Sequence, residues 1–288
     1  MSWGEIAWNG VRFSTPELWE VAKIGPRYLL LAYQGEPALE IKWEKIKGRF
    51  SHQTALKRMN SLHKNAVQES PLPEEWVKVL GDFDVMGFTW QAAARGGRGA
   101  ILYCPACGNA ILIQFFGNLS GSSYKTCRRV LASFQDHSDD NRVRWSLFDI
   151  RAEIPAEYRL LRYRFEAGRF EMHFGSKRQR ITLYRWGPAS ALLGSGDLFA
   201  FAAKTIRIHR NEWHPLTCTG HHAVQWEKAV LGGLWARCWE RMIGKPHFQW
   251  FRLWHLVGKN RLLGVGANGD KTFPSELLDS ICTQYETL

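Results

Sequence analysis

The 288-residue sequence contains no uninterrupted apolar run near the roughly eighteen residues that a membrane-spanning helix needs. A helical membrane protein is therefore excluded, and no membrane partner is expected. The opening, MSWGEIAWNG, has neither a cationic start nor an apolar stretch of signal-peptide length, so the expected compartment is cytoplasmic. Cysteine is scarce. The six at positions 104, 107, 127, 218, 238 and 282 are too scattered for the disulfide framework of a small secreted scaffold, and reduced thiols follow. Long Gly, Ser, Pro or single-charge tracts are missing too, which argues against disordered linkers.

Recognisable catalytic motifs are absent as well. There is no G-x-S-x-G, H-E-x-x-H, Walker or dinucleotide fingerprint, and GVGANGDK at 264–271 lacks the G-K-[ST] ending of a phosphate loop. The ten histidines show no recognisable arrangement with a nucleophile and a carboxylate. No catalytic residue is assigned, and the balance tilts against an enzyme.

What the chain has in quantity is aromatic and hydrophobic mass: 14 Trp, 16 Phe and 8 Tyr within a 45% hydrophobic composition. That suffices to bury a large core, in one large domain or two ordinary ones. The net charge is +11 and uneven. Residues 1–143 carry 17 Lys and Arg against 14 Asp and Glu, and residues 144–288 carry 21 against 13. A basic second half makes an acidic partner possible, though charge alone does not define a site.

The strongest pattern is internal repetition. WNGVRFSTPELWEV, GPRYLLLAY, ALEIKWEKI and the helical SHQTALKRMNSL recur in order as WSLFDIRAEIPAEYRL, AGRFEMHF, QRITLYRW and SGDLFAFAAK. Trp8 aligns with Trp145, Pro16 with Pro155, Trp19 with Tyr158, Trp43 with Trp186 and Ser51 with Ser195. Further on, Gly108 aligns with Gly258. The closing helices match through Cys127, Val130 and Leu131 against Leu278, Ile281 and Cys282, each set with one-face helical spacing. Two domains are expected, 1–143 and 144–288. Each reads as an α+β lobe of antiparallel sheet covered by helices, with Ser51, Ser195 and Pro274 marking helix starts.

The strand running into STPELWEV and the hairpin YLLLAYQGEPALEIKW before a helix resemble the Mog1/PsbP-like α+β fold, over residues 11–65 and more faintly 147–204. That resemblance implies a binding or assembly factor with no shared catalytic residues, and it carries over no site.

Two candidate sites emerge from residue type and spacing. CPACG places Cys104 and Cys107 three apart on a hairpin with glycine after the second, as a zinc knuckle does; Cys218 and His221 in CTGHH repeat the spacing. Together they would make a Cys3His zinc site. The competing readings are a bare Pro-Gly turn and a redox C-x-x-C, and the first is favoured because WHLVGKN replaces the thiols with Trp254 and Val257. Cys127, Cys238 and Cys282 read as small core residues.

The other candidate is a nucleic-acid surface in which strand-borne cations and rings hold phosphates and stack bases. It comprises Arg162, Arg164, Arg169, Arg178, Arg180, Arg185, Trp250, Arg252 and Trp254. Taken together, the expected function is non-catalytic binding or assembly with a protein partner. The alternatives are single-stranded nucleic-acid binding through the second lobe, and an enzyme with its site at the lobe interface.

Overall fold

A computed structural model describes residues 2–62, 66–92, 95–117, 121–138, 140–229 and 246–288. Cys238 lies outside the described residues. The chain divides into two compact units, Met1–Asp140 with Ser146–Phe148, and Asn141–Trp145 with Asp149–Leu288.

The first run of elements is β1 (Trp3–Trp8), β2 (Val11–Pro16), β3 (Glu20–Gly25), β4 (Tyr28–Tyr33), β5 (Glu36–Lys45) and α1 (His52–Leu62). It continues through β6 (Val67–Glu69), α2 (Glu74–Val79), β7 (Asp84–Ala92), β8 (Arg95–Tyr103), β9 (Asn109–Phe116) and α3 (Gly121–Ala132). The second run is β10 (Arg142–Leu147), β11 (Ile150–Pro155), β12 (Arg159–Glu166), β13 (Arg169–Ser176), β14 (Gln179–Trp186), α4 (Ala189–Leu193) and α5 (Leu198–Ile206). After these come β15 (His214–Cys218), β16 (His221–Ala229), β17 (Phe248–Leu256), β18 (Arg261–Gly269), α6 (Ser275–Thr283) and β19 (Glu286–Thr287).

Each unit is built on a seven-stranded antiparallel sheet. The first has the order β3-β4-β5-β9-β8-β7-β6 and the second β12-β13-β14-β18-β17-β16-β15, so the strand order of one is that of the other. The expected α+β architecture, with helices covering the sheets, is not what forms. About half of the described residues are strand and about a fifth helix, giving a β-rich fold. Several helices are short, and the strands that tip the balance carry weak strand signals. The first five residues of β8 are Arg-Gly-Gly-Arg-Gly, and β17 buries residues on both faces, which erases the alternation that marks a strand.

In the first unit, one sheet face packs against α2 and α3. Trp76 meets Phe115 at 5.5 Å and Tyr124 at 5.6 Å between ring centroids. The other face receives α1, whose buried Leu56 contacts the cluster of Val67, Phe88 and Ile101. Gly99 is required there: a Cβ would stand 2.5 Å from Phe88 Cζ and 2.3 Å from the Ile113 carbonyl. In the second unit, α5 buries Leu198 and Ala202 against Trp186, Val224, Phe251 and Leu253. There α6 buries Leu278, Ile281 and Cys282.

The two units share burial as well as topology. β1 and β10 are both half-buried over their first three residues and buried over their last three, and β2 and β11 both alternate buried with half-buried positions before ending on two buried residues. Asn9 and Phe148 both take positive φ in the intervening turns. This register equates Trp8 with Leu147 and Ile6 with Trp145, so the sequence match of Trp8 to Trp145 slips by two residues. Trp43 similarly falls on Arg185, because Leu39 and Ile41 correspond to the inward-facing Ile181 and Leu183. Each ties its central strand to the first turn: Trp43 Nε1 donates to the Asn9 carbonyl at 3.2 Å, and Arg185 donates to Asp149. Ser51 does cap α1, accepting from the Thr54 amide at 3.3 Å. α5 is instead capped by Asp197, which accepts from the Ala200 amide at 2.8 Å, and Ser195 lies outside the helix.

Candidate metal centre

The hairpin joining β8 to β9 closes at the pair Tyr103 and Ala110, leaving the six residues Cys104 to Asn109 to turn. The Cys104 amide donates to the Asn109 carbonyl at 2.9 Å and the Gly108 amide to the Cys104 carbonyl at 2.8 Å. Gly108 sits at φ +77°, a conformation that favours glycine, which is why it follows the second cysteine. Both sulfurs are thereby held on one side of the loop.

A second segment meets them. After α3, Gln135 exchanges backbone hydrogen bonds with Arg12 of β2, both at 2.8 Å. That bridge fixes the next two residues, Asp136 and His137, against the hairpin. Asn109 Nδ2 donates to the Asp136 carbonyl at 3.1 Å and to its Oδ2 at 3.2 Å. Cys107 Sγ donates to Asp136 Oδ2 at 2.9 Å. Asp136 Oδ1 lies 2.7 Å from His137 Nδ1, and Cys104 Sγ lies 3.7 Å from the same nitrogen. The ligand atoms of Cys104, Cys107, Asp136 and His137 all fall within 4.8 Å of one another.

Those separations bracket the ones a small tetrahedral ion sets, with the Asp136 carboxylate hydrogen-bonded closer to its neighbours, at 2.7 and 2.9 Å, than it would stand around an ion. With Zn–S about 2.3 Å and Zn–N or Zn–O about 2.0–2.2 Å, ligand atoms around zinc stand about 3.3–3.8 Å apart. Two sulfurs, an imidazole and a carboxylate are also donors that zinc accepts. The Asp136 side chain is 1% exposed and that of His137 42%, so the centre is buried on the carboxylate side and reaches solvent at the imidazole. Without metal, burial and the hydrogen bond to Asp136 push the Cys107 thiol up to about 12, opposed by the Asn109 amide. A metal ion reverses that preference by displacing the proton.

Sequence reasoning found Cys104 and Cys107 and missed Asp136 and His137. The last two come within reach of the hairpin only through the backbone bridge of Gln135 to Arg12. The bridge between Arg12 and Gln135 corresponds to the pairing of Arg151 with Glu286, so Asp136 and His137 fall on Thr287 and Leu288. The matching hairpin of the second unit closes at Leu256 and Arg261 with only Val257 to Asn260 between. It is two residues shorter than the loop carrying the thiols, so the turn that forms without cysteines is a different turn. All four donor positions are filled in one unit and none in the other.

Cys218 and His221 lie in the second unit, where they pair across the β15–β16 hairpin. Cys218 is buried beside Cys282 and Arg252, and the hydrogen bond from Cys282 leads the influences that lower its thiol to about 7. Cys127 and Cys282 are buried on α3 and α6, as small core residues are.

The nine proposed nucleic-acid contacts are dispersed in role. Trp250 and Trp254 are buried, 5% and 0% exposed, so neither ring is open to a base. Arg185 is paired with Asp149 and lies 4.4 Å over the Phe170 ring. Arg252 is paired with Asp279 at 2.7 Å, Arg178 with Asp270 at 3.1 Å, Arg164 with Glu166 at 2.7 Å, and Arg169 with Glu171. Arg180 donates to the carbonyls of Lys177 and Gln179. Arg162 is exposed on β12.

Among the described residues, no helix is long and apolar enough to cross a membrane. No protein-family model and no curated protein matches the chain. Three solved structures that resemble it are each 12% identical. A protein from Bacteroides thetaiotaomicron VPI-5482 has TM-score 0.29, the match covering 50% of this chain and 49% of that one. The immunity protein TplEi of the T6SS from Pseudomonas aeruginosa, complexed with "L" peptide, has TM-score 0.34 over 99% of this chain and 97% of its own. The Tle4-Tli4 complex has TM-score 0.32 with the same coverage. TM-scores this low do not establish a common fold.

Proposed function

We propose that the chain is a non-catalytic binding or assembly protein whose first unit is fastened by a structural zinc ion on Cys104, Cys107, Asp136 and His137. The observation carrying this reading is the convergence of four donors from two distant segments. Four protein ligands complete a tetrahedral shell and leave no open position for a substrate, which is the arrangement of structural rather than catalytic zinc. The ion would clamp the β8–β9 hairpin to the segment leaving α3. The asymmetry between the two units supports the same reading, since the donors are present or missing as a set.

Elemental analysis of the purified full-length protein tests it. One zinc per chain is expected, lost in Cys107→Ser and His137→Ala and retained in His221→Ala. Chelation should lower the melting temperature by roughly 5–15 °C. Zinc lost in His221→Ala but retained in His137→Ala would transfer the site to the set of Cys104, Cys107, Cys218 and His221. Metal-free protein indifferent to chelator would end the proposal.

A further inference from the structure

A second site lies on the opposite side of the first unit's sheet, independent of the metal centre. Between α1 and strands β5 to β9 is a cavity of about 870 Å³. Its size falls in the range of about 300–1,000 Å³ typical of small-molecule pockets. Trp90, Leu112 and Phe116 of the sheet and Met59 of α1 are among its apolar walls.

The polar lining is uneven in a way that specifies a ligand. Lys42, Arg49 and Arg58 line the cavity together with Glu40 and Glu44. Lys42 is already neutralised by Glu40 at 3.0 Å, and Glu40 also accepts from Gln114. Arg49 and Arg58 have no hydrogen-bond or ion-pair partner among the described residues. Both side chains are exposed at the helix side of the opening, one just before α1 and one on it. A guanidinium keeps its charge at any relevant pH and binds planar oxyanions in a fork. Two guanidinium groups against the single carboxylate of Glu44, none of the three with a partner among the described residues, leave an apolar chamber with a positive excess, which matches a molecule with a hydrocarbon body and an anionic head.

From this geometry we infer that the first unit binds a small amphipathic anion, a medium-length aliphatic carboxylate in its simplest form. The hydrocarbon lies on Trp90, Leu112 and Phe116, and the head group meets Arg49 and Arg58.

Titration calorimetry on the full-length protein, its metal content measured in parallel, tests the inference with decanoate, decylammonium and decanol as probes. Decanoate should bind at least tenfold more tightly than either of the others. Arg49→Ala/Arg58→Ala, both at exposed positions, should erase that preference while leaving decanol binding unchanged. Thr54→Trp, which puts a ring into the chamber from the exposed side of α1, should weaken all binding by tenfold or more. No decanoate binding, equal affinity for decylammonium or decanol, or a preference that survives the double substitution would each overturn the inference. Because zinc content is read separately, failure here is distinguishable from failure of the metal centre.

Discussion

Among individual side chains, buried polar groups show most clearly where the chain is exposed to a change of conditions. On the second sheet Thr182 Oγ1 lies 3.1 Å from His173 Nδ1, and His173 Nε2 lies 3.3 Å from Glu171. Burial is the largest influence on His173 and lowers it from the ordinary value of 6.5, ahead of the opposing pull of Glu171. The fold therefore holds the imidazole neutral, while the unfolded chain takes up a proton as pH falls through about 6.5. Stability should be full above that pH and decline below it. His173→Gln should flatten the decline, measured as urea midpoints between pH 8 and pH 5; an unchanged slope would remove His173 from the account. At the metal centre, protons compete for the same atoms as the ion. Zinc affinity should fall steadily from pH 8 to pH 6, followed by competition with a chromophoric chelator.

At the level of elements, the β8–β9 hairpin separates what the sequence disclosed from what it hid. The two thiols and their glycine were legible because a knuckle is local. Asp136 and His137 were not, since only the bridge from Gln135 to Arg12 brings them within reach. The repeat was legible from the order of its elements. Its register was misread where tryptophans served as anchors, because Trp43 and Trp186 occupy opposite faces of equivalent strands. Two consequences follow for variants. Replacing Cys104 to Asn109 by the Val-Gly-Lys-Asn of the second unit should yield a folded but zinc-free protein, seen by circular dichroism and metal analysis. Gly99→Val should cost about 2–4 kcal/mol in urea unfolding, because Phe88 and the Ile113 carbonyl occupy the space.

For the molecule as a whole, two units with one strand order have been given different equipment. Both keep the seven-stranded sheet and the closing helix. The first carries the longer hairpin, the paired donors after its closing helix and the chamber beneath α1; among the described residues the second has no matching set of donors. The shared parts define the shape, and the additions distinguish one unit from the other. X-ray absorption at the zinc edge addresses the central claim most directly, since it reports which atoms surround the ion. Two sulfurs at about 2.3 Å and two nitrogen or oxygen ligands at about 2.0–2.2 Å are predicted. A shell of three sulfurs and one nitrogen, or no zinc to observe, would contradict it.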